Sequence, residues 1–230
     1  EKVHYYTQIT GIRETKEGTD LIVHIPSEAL KHKIAKYSTG NKVDAELRVN
    51  DGRTISADQR KKIFATIKDI ADYTGDNPEF VRKYLLYDYW CKSGEVPFSL
   101  SNCSISQARE YINHILDFVL EWNIPLTDLG IERTDDIDRY LYSCIKFRKC
   151  AITGQPNADI HHCTGSRVGM GRDRQKIDHS NLKLIALSRK WHNKVHNESE
   201  EKIFPLYKIY GIIVDGETLN NLGLKHDDIT

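Results

Sequence analysis

The sequence predicts an α+β protein built from two parts. Residues 1–128 are expected to form a domain of mixed strands and helices, and residues 129–230 a domain in which two strands precede a helix. Three observations support this division. Apolar residues alternate before residue 50, helix-start signals recur between residues 56 and 125, and a histidine-rich amphipathic segment follows two short apolar runs after residue 150.

The N-terminal strands are predicted from alternation and turns. Tyr5 to Ile12 and Leu21 to Ile25 flank a turn at residues 16–19, which indicates a hairpin. Lys42 to Val49 alternates between apolar and charged residues and predicts a half-buried strand, ended by the turn at residues 50–52.

Four helices are predicted from capping residues and amphipathic spacing. Their expected extents are Ser56 (with Gln59) to Tyr73, Asn77 to Gly94, Ser104 (with Gln107) to Asn123, and Asp135 to Phe147 with Thr134 as the cap. The segment between the third and fourth reads as a linker, which places the domain boundary near residues 125–135.

Four aromatic residues recur at helical spacing in the second of these helices, namely Phe80, Tyr84, Tyr87 and Trp90. Aromatic rings can stack on unpaired bases. The more common role of such a stripe is to pack into the hydrophobic core. The sequence leaves both interpretations open.

The composition is that of an ordinary globular protein, with 39% hydrophobic and 29% charged residues. No apolar run approaches the roughly 18 residues that a membrane span needs, and no secretory signal pattern precedes the first strand. The five cysteines are odd in number and scattered, so a reducing, cytoplasmic location is expected. Cys144, Cys150 and Cys163 either hold a structural zinc ion or are simply small buried residues.

The formal net charge is zero, yet positive charge is concentrated in one window. Residues 146–197 contain eleven Lys and Arg against three acids. Such a local basic patch suits phosphate binding, although a solvated charged surface is the plainer interpretation. The candidate nucleic-acid contacts in the window are Arg167, Arg172, Arg174, Arg189 and Lys190, and a glycine-rich loop at residues 169–172 either approaches a phosphate or is a flexible turn.

Five of the ten histidines fall within 36 consecutive residues, at positions His161, His162, His179, His192 and His196. His192 and His196 are one helical turn apart, as two imidazoles must be to bind one metal ion from the same helix. A strand ending in Asp159-Ile160-His161-His162, a returning strand after Asn181 and this helix would form a compact ββα metal site.

The order of these motifs resembles the HNH (ββα-metal) nucleases, and the acid-x-His-His strand with a later His-x-x-x-His helix is similar to the bacterial DNase toxins of that group. The resemblance implies a metal-dependent DNA endonuclease. It assigns the metal to His161, His192 and His196, and the general base to His162. Asp159 would support the site.

The middle position of the motif is assigned less directly. The resemblance implies that Asn181 braces the loop that holds the base. Asn181 precedes His192 by eleven residues, which is farther than in the toxin-like pattern, so His179 or Lys183 are alternatives for this role.

The residue types suit this chemistry. A neutral imidazole accepts a proton from water near neutral pH, and a divalent ion held by three histidines acts as a Lewis acid. The ion is Mg²⁺, Mn²⁺, Ni²⁺ or Zn²⁺. Two rival functions remain, a DNA-binding protein whose metal site is structural or degenerate, and a nuclease that acts on RNA.

The N-terminal region, from Ile55-Ser56-Ala57-Asp58-Gln59-Arg60 to Glu121-Trp122-Asn123-Ile124-Pro125, resembles the NinB/Orf recombination proteins of tailed phages, and Cys150 to Gly154 matches the lead-in to an HNH segment in some phage relatives. This resemblance implies binding to single-stranded, gapped or branched DNA during recombination. It further implies contact with the host single-strand DNA-binding protein and a homodimer.

Overall fold

The computed structural model describes residues 8–25, 30, 53–166 and 177–224. The chain forms two compact units, one containing Glu1–Asp51 and Gly94–Val96, the other Gly52–Ser93 and Pro97–Thr230. The predicted strand at residues 42–49, its turn at 50–52 and the first residues of the predicted hairpin lie outside the described residues.

The first unit contains the hairpin that the sequence predicts. Strand β1 (Gln8–Thr15) pairs antiparallel with β2 (Gly18–His24), with Ile12 opposite Leu21 and an irregularity near Gly11. Both strands extend beyond the predicted apolar runs. The strands are longer because their backbone pairing continues to Thr15 and Gly18, and backbone hydrogen bonds do not depend on apolar side chains.

The second unit contains the helices and a small sheet. The elements are α1 (Ala57–Thr74), α2 (Pro78–Ser93), α3 (Ile105–Glu121), α4 (Gly130–Arg133), α5 (Ile137–Lys146), β3 (Asp159–His162), β4 (Leu184–Leu187), α6 (Arg189–Glu198), α7 (Glu200–Tyr207) and α8 (Gly216–Asn221). Helices α1 to α3 confirm the predicted extents within about two residues. Complete capping boxes precede α1 and α3, at Ser56 with Gln59 and Ser104 with Gln107.

The start of α5 differs from the prediction. The helix begins at Ile137, and the Asp136 carboxylate accepts a hydrogen bond from the backbone N–H of Arg139 at 3.0 Å. The prediction of Thr134 as the cap is wrong, because its hydroxyl instead accepts from the N–H of Asp136 at 2.9 Å and turns the chain into the helix. The predicted linker contains the short helix α4.

The aromatic stripe of α2 is not core. Phe80, Tyr84 and Tyr87 are exposed, and Trp90 is half-buried. The buried face of α2 is instead formed by Val81, Leu85, Leu86 and Tyr89. The core interpretation of the stripe is therefore wrong for its first three members.

One hydrophobic core runs through the second unit and includes residues on both sides of the predicted domain boundary, such as Ile67 of α1 and Leu141 of α5. A buried ion pair also joins residues on the two sides of this boundary. Arg133 Nη2 lies 3.2 Å from Asp69 Oδ2, and both side chains are at most 5% exposed. The boundary at residue 128 stays a prediction. No helix in the described ranges is long and apolar enough to span a membrane.

We expect Arg133→Ala to destabilise the protein by about 3–5 kcal/mol, because it leaves the Asp69 carboxylate buried without its cation. Urea unfolding measures the loss. The matched control is Lys68→Ala, which removes an exposed ion pair with Asp72 on the neighbouring turn of α1 and should leave the unfolding midpoint nearly unchanged. Equal midpoints for the two variants would contradict this role of Arg133.

Candidate metal centre

A short antiparallel sheet positions the first part of the candidate site. In β3, Asp159 lies opposite Leu187 of β4, and His161 lies opposite Ile185. All four residues of β4 are buried. Its backbone is bonded on the other edge as well, because Ala151 donates to Ala186 O at 2.8 Å and Leu184 exchanges two hydrogen bonds with Ile212.

Helix α6 starts immediately after β4 and supplies the second part. The N–H of His192 donates to the carbonyl oxygen of Ser188 at 2.8 Å, so Ser188 is the N-cap residue of the helix. The Ser188 side chain makes no capping hydrogen bond to the helix. The sequence prediction of His192 and His196 on one helix is confirmed.

The fold brings His161, His192 and His196 together. Each offers a ring nitrogen, and the donor atoms lie within 4.8 Å of one another. The ring centroids are 5.1 Å apart for His161 and His192, 5.0 Å for His161 and His196, and 4.6 Å for His192 and His196. His161 is buried, His192 half-buried and His196 exposed, so the cluster extends from the interior to the surface.

These three side chains fit a divalent cation. Burial, with the neighbouring rings of His161 and His196, lowers the pKa of His192 and favours the neutral form that a metal ion needs. The Nδ1 atom of His192 is buried and finds no hydrogen-bond partner among the described residues, a cost that a bound cation would remove. Three imidazole donors match the ligands preferred by zinc and by nickel.

The predicted base, His162, is the last residue of β3 and lies beside His179. Their ring centroids are 5.2 Å apart, and both side chains are buried. His179 comes from the turn before β4, where its carbonyl accepts from the N–H of Leu182 at 3.1 Å. Asn181, the first choice for the middle position, is exposed. Among these two candidates, it is therefore the His179 ring that packs against His162.

Of the charged residues predicted near the site, Asp159, Arg189 and Lys190 belong to the described residues. Asp159 Oδ1 accepts from Arg189 Nη2 at 3.0 Å, and the Arg189 side chain remains 74% exposed. Lys190 is exposed on the same turn of α6. The other predicted nucleic-acid contacts lie outside the described residues, namely Arg167, Arg172 and Arg174, as do the glycines of the loop between the strands.

Glu200, the first residue of α7, is a site residue that sequence reasoning missed. Its Oε1 lies 3.1 Å from Nε2 of His161, and both carboxylate oxygens are 2.9 Å from the backbone nitrogen of Thr164. Burial raises the pKa of Glu200, but the hydrogen bonds from Thr164 and His161 outweigh it, so the net shift is downward. The His196-x-x-x-Glu200 spacing does not signal the contact, because the chain turns at Ser199 with φ of 88°.

The cysteines are free thiols, and four of the five are buried. Among the described residues, no candidate metal group brings Cys144, Cys150 and Cys163 together. Cys144 and Cys150 are fully buried, as the plainer interpretation expects. Cys163 joins His161 and Glu200 in a second group of three buried donor side chains.

The lowered pKa of His192 predicts how stability responds to pH. Unfolded histidine has a pKa of about 6.5, so the unfolded chain takes up the proton first as pH falls, and folding stability decreases below that value. We expect His192→Gln, measured metal-free by urea unfolding, to lose less stability than wild type between about pH 7.5 and about pH 5.5. The control Asn193→Gln, at an exposed position of the same helix that does not titrate, should keep the wild-type dependence. Parallel profiles for wild type and His192→Gln would contradict it.

Comparison with known proteins finds one family whose sequence model matches residues 28–222, and its description is "Putative HNHc nuclease". No curated protein and no solved structure matches the chain. The likeness to NinB/Orf recombination proteins gains no support from these comparisons and stays a prediction. The match covers most of the 230 residues and includes all three clustered histidines. The chain therefore belongs to this family of HNH nucleases.

Proposed function

We propose that the protein is a metal-dependent DNA endonuclease that hydrolyses phosphodiester bonds with His162 as the general base. The observation that carries the proposal is the meeting of His161 with His192 and His196, which come from a strand and a helix about 30 residues apart in the chain. Membership in an HNH nuclease family supports the same chemistry.

The three imidazoles would hold the cation through neutral nitrogens, leaving its positive charge uncompensated by the ligands. When bound, the ion supplies Lewis-acid polarisation of a phosphate oxygen and stabilises charge on the departing 3′-oxygen. His161 is held from the interior side by Glu200, and the exposed His196 lies where a substrate phosphate can approach.

His162 would accept the proton of the attacking water at a ring nitrogen. A neutral histidine suits this role near neutral pH. The neighbouring ring of His179 restricts the orientation of His162, which supports His179 over Asn181 as the residue that braces the base. Asp159 would support the site without binding the metal, through its ion pair with Arg189.

The exposed cations of α6 would contact the phosphate backbone. Arg189 and Lys190 lie on the first turn of the helix that carries His192, and they belong to the window with eleven basic residues against three acids. Phosphate contacts give affinity without sequence preference. The remaining predicted contacts, Arg167, Arg172 and Arg174, belong to the same proposal.

A second candidate is a DNA-binding recombination protein whose metal site does not cleave. The exposed aromatic residues of α2 favour it, because Phe80, Tyr84 and Tyr87 are available to stack on unpaired bases. Single-stranded, gapped or branched DNA would be the ligand, with a host single-strand-binding protein and a second copy of the chain as partners. Binding of such DNA without cleavage in Mg²⁺, Mn²⁺, Ni²⁺ or Zn²⁺ would favour this candidate.

We expect His162→Ala to reduce cleavage of plasmid DNA by roughly 10²–10⁴-fold, because the water loses its proton acceptor. Metal affinity and DNA binding should stay near wild type, whereas His196→Ala should lose metal affinity. Nicking assays, calorimetry with the metal and DNA gel shifts measure the three properties.

The matched control for this series is His24→Ala, an exposed histidine of the hairpin. Its cleavage rate should equal that of wild type. Full cleavage by purified His162→Ala would remove His162 from the mechanism, and faster cleavage of an RNA strand than of the matched DNA strand would change the substrate class.

We expect Lys190→Ala to weaken duplex binding equally for unrelated sequences. The slope of log affinity against log salt concentration should fall by the amount that corresponds to about one phosphate contact. Fluorescence anisotropy over a salt series measures both. Lys202→Ala, an exposed lysine of α7, is the charge-matched control. Identical salt slopes for wild type and Lys190→Ala would exclude this contact.

A further inference from the structure

The ring of His161 belongs to two donor groups. Among the described residues, one group joins it to His192 and His196, and the other joins it to Cys163 and Glu200. The two groups share no other member. His161 is also the most deeply buried of the clustered imidazoles, at 1% exposure. The surroundings of this one ring therefore decide where a cation binds.

The Glu200 side of the ring is already organised by hydrogen bonds. Glu200 is 9% exposed, and its Oε1 lies 3.1 Å from Nε2 of His161. Both of its oxygens are 2.9 Å from the N–H of Thr164, which follows β3. The carboxylate is thus fixed to the chain segment that carries the histidine.

A neutral imidazole has one N–H and one lone pair, on different nitrogens. An ionised carboxylate only accepts hydrogen bonds, so its contact with Nε2 favours the tautomer with the proton on Nε2 and the lone pair on Nδ1. Nδ1 of His161 would then be the nitrogen available to a cation shared with His192 and His196.

We propose that Glu200 is a positioning residue, which holds His161 in the tautomer and orientation that bind the cation and thereby sets the metal affinity of the three-histidine site. The inference rests on the proposed metal site and adds to it a residue outside the cluster. A carboxylate that accepts from a metal-bound histidine both orients the ring and increases its basicity.

The second donor group is less suited to a cation. Glu200 would have to exchange its hydrogen bonds with Thr164 for the ion. Cys163 is packed against the backbone, since a Cβ added at Gly211 would lie 2.3 Å from its Sγ. If Glu200 instead accepts a hydrogen bond from Nε2 of His161, its contacts with Thr164 are kept and no side chain has to move.

We expect Glu200→Gln to weaken Co²⁺ binding by about 10–100-fold, measured by calorimetry on the full chain. Imidazole nitrogen shifts in NMR spectra should assign the Nε2–H tautomer to His161 in the metal-free wild type and a mixture of tautomers in Glu200→Gln. The matched control is Glu201→Gln, the exposed next residue of α7, which should bind Co²⁺ as wild type does.

Three outcomes would overturn the proposal. They are unchanged Co²⁺ affinity in Glu200→Gln, the Nδ1–H tautomer of His161 in the wild type, and a thiolate charge-transfer band with Co²⁺ that Cys163→Ser removes. The tautomer is read from the wild type, so that test stands even where Glu200→Gln does not fold. If His192→Ala and His196→Ala also bind Co²⁺ normally, the proposed metal site fails; if they lose it while Glu200→Gln does not, only the role of Glu200 fails.

Discussion

The candidate site depends on one buried strand that is hydrogen-bonded along both edges. Strand β4 pairs with β3 on one edge and with Ala151 and Ile212 on the other, and every residue of it is buried. Because α6 begins directly after β4, the position of this strand determines both where His161 lies and where the helix carrying His192 and His196 starts. Imidazoles can share a cation only within a few ångströms of one another, so movement of β4 would separate the donors.

Charged side chains surround the three histidines. The Glu200 carboxylate lies 3.1 Å from Nε2 of His161, and Asp159 forms an ion pair with the exposed Arg189 at 3.0 Å. Burial and the neighbouring rings of His161 and His196 lower the pKa of His192, which favours its neutral, metal-binding form. Exposed cations such as Lys190 lie outside the cluster, where they can attract phosphate without competing for the metal.

The sequence predicted those elements whose signals are local. Capping boxes at Ser56 and Ser104 act over three residues, and α1 and α3 begin where they indicate. The cap of α5 was misassigned because Thr134 and Asp136 are both capping residues, and only the chain's turn selects Asp136. Spacing alone leaves the aromatic residues of α2 open to either core packing or base stacking, and the packed face is the one with Val81 and Leu85.

The sequence by itself determined the helical pair His192 and His196, since a spacing of four residues places two side chains on one helix face whatever surrounds it. It also determined that a strand would end in His161 and His162. Only the tertiary structure decided that His161 meets the helical pair, that the ring of His179 rather than the exposed Asn181 lies against His162, and that Glu200 reaches His161. Residues distant in the chain meet through packing of whole elements, and no local spacing encodes that packing.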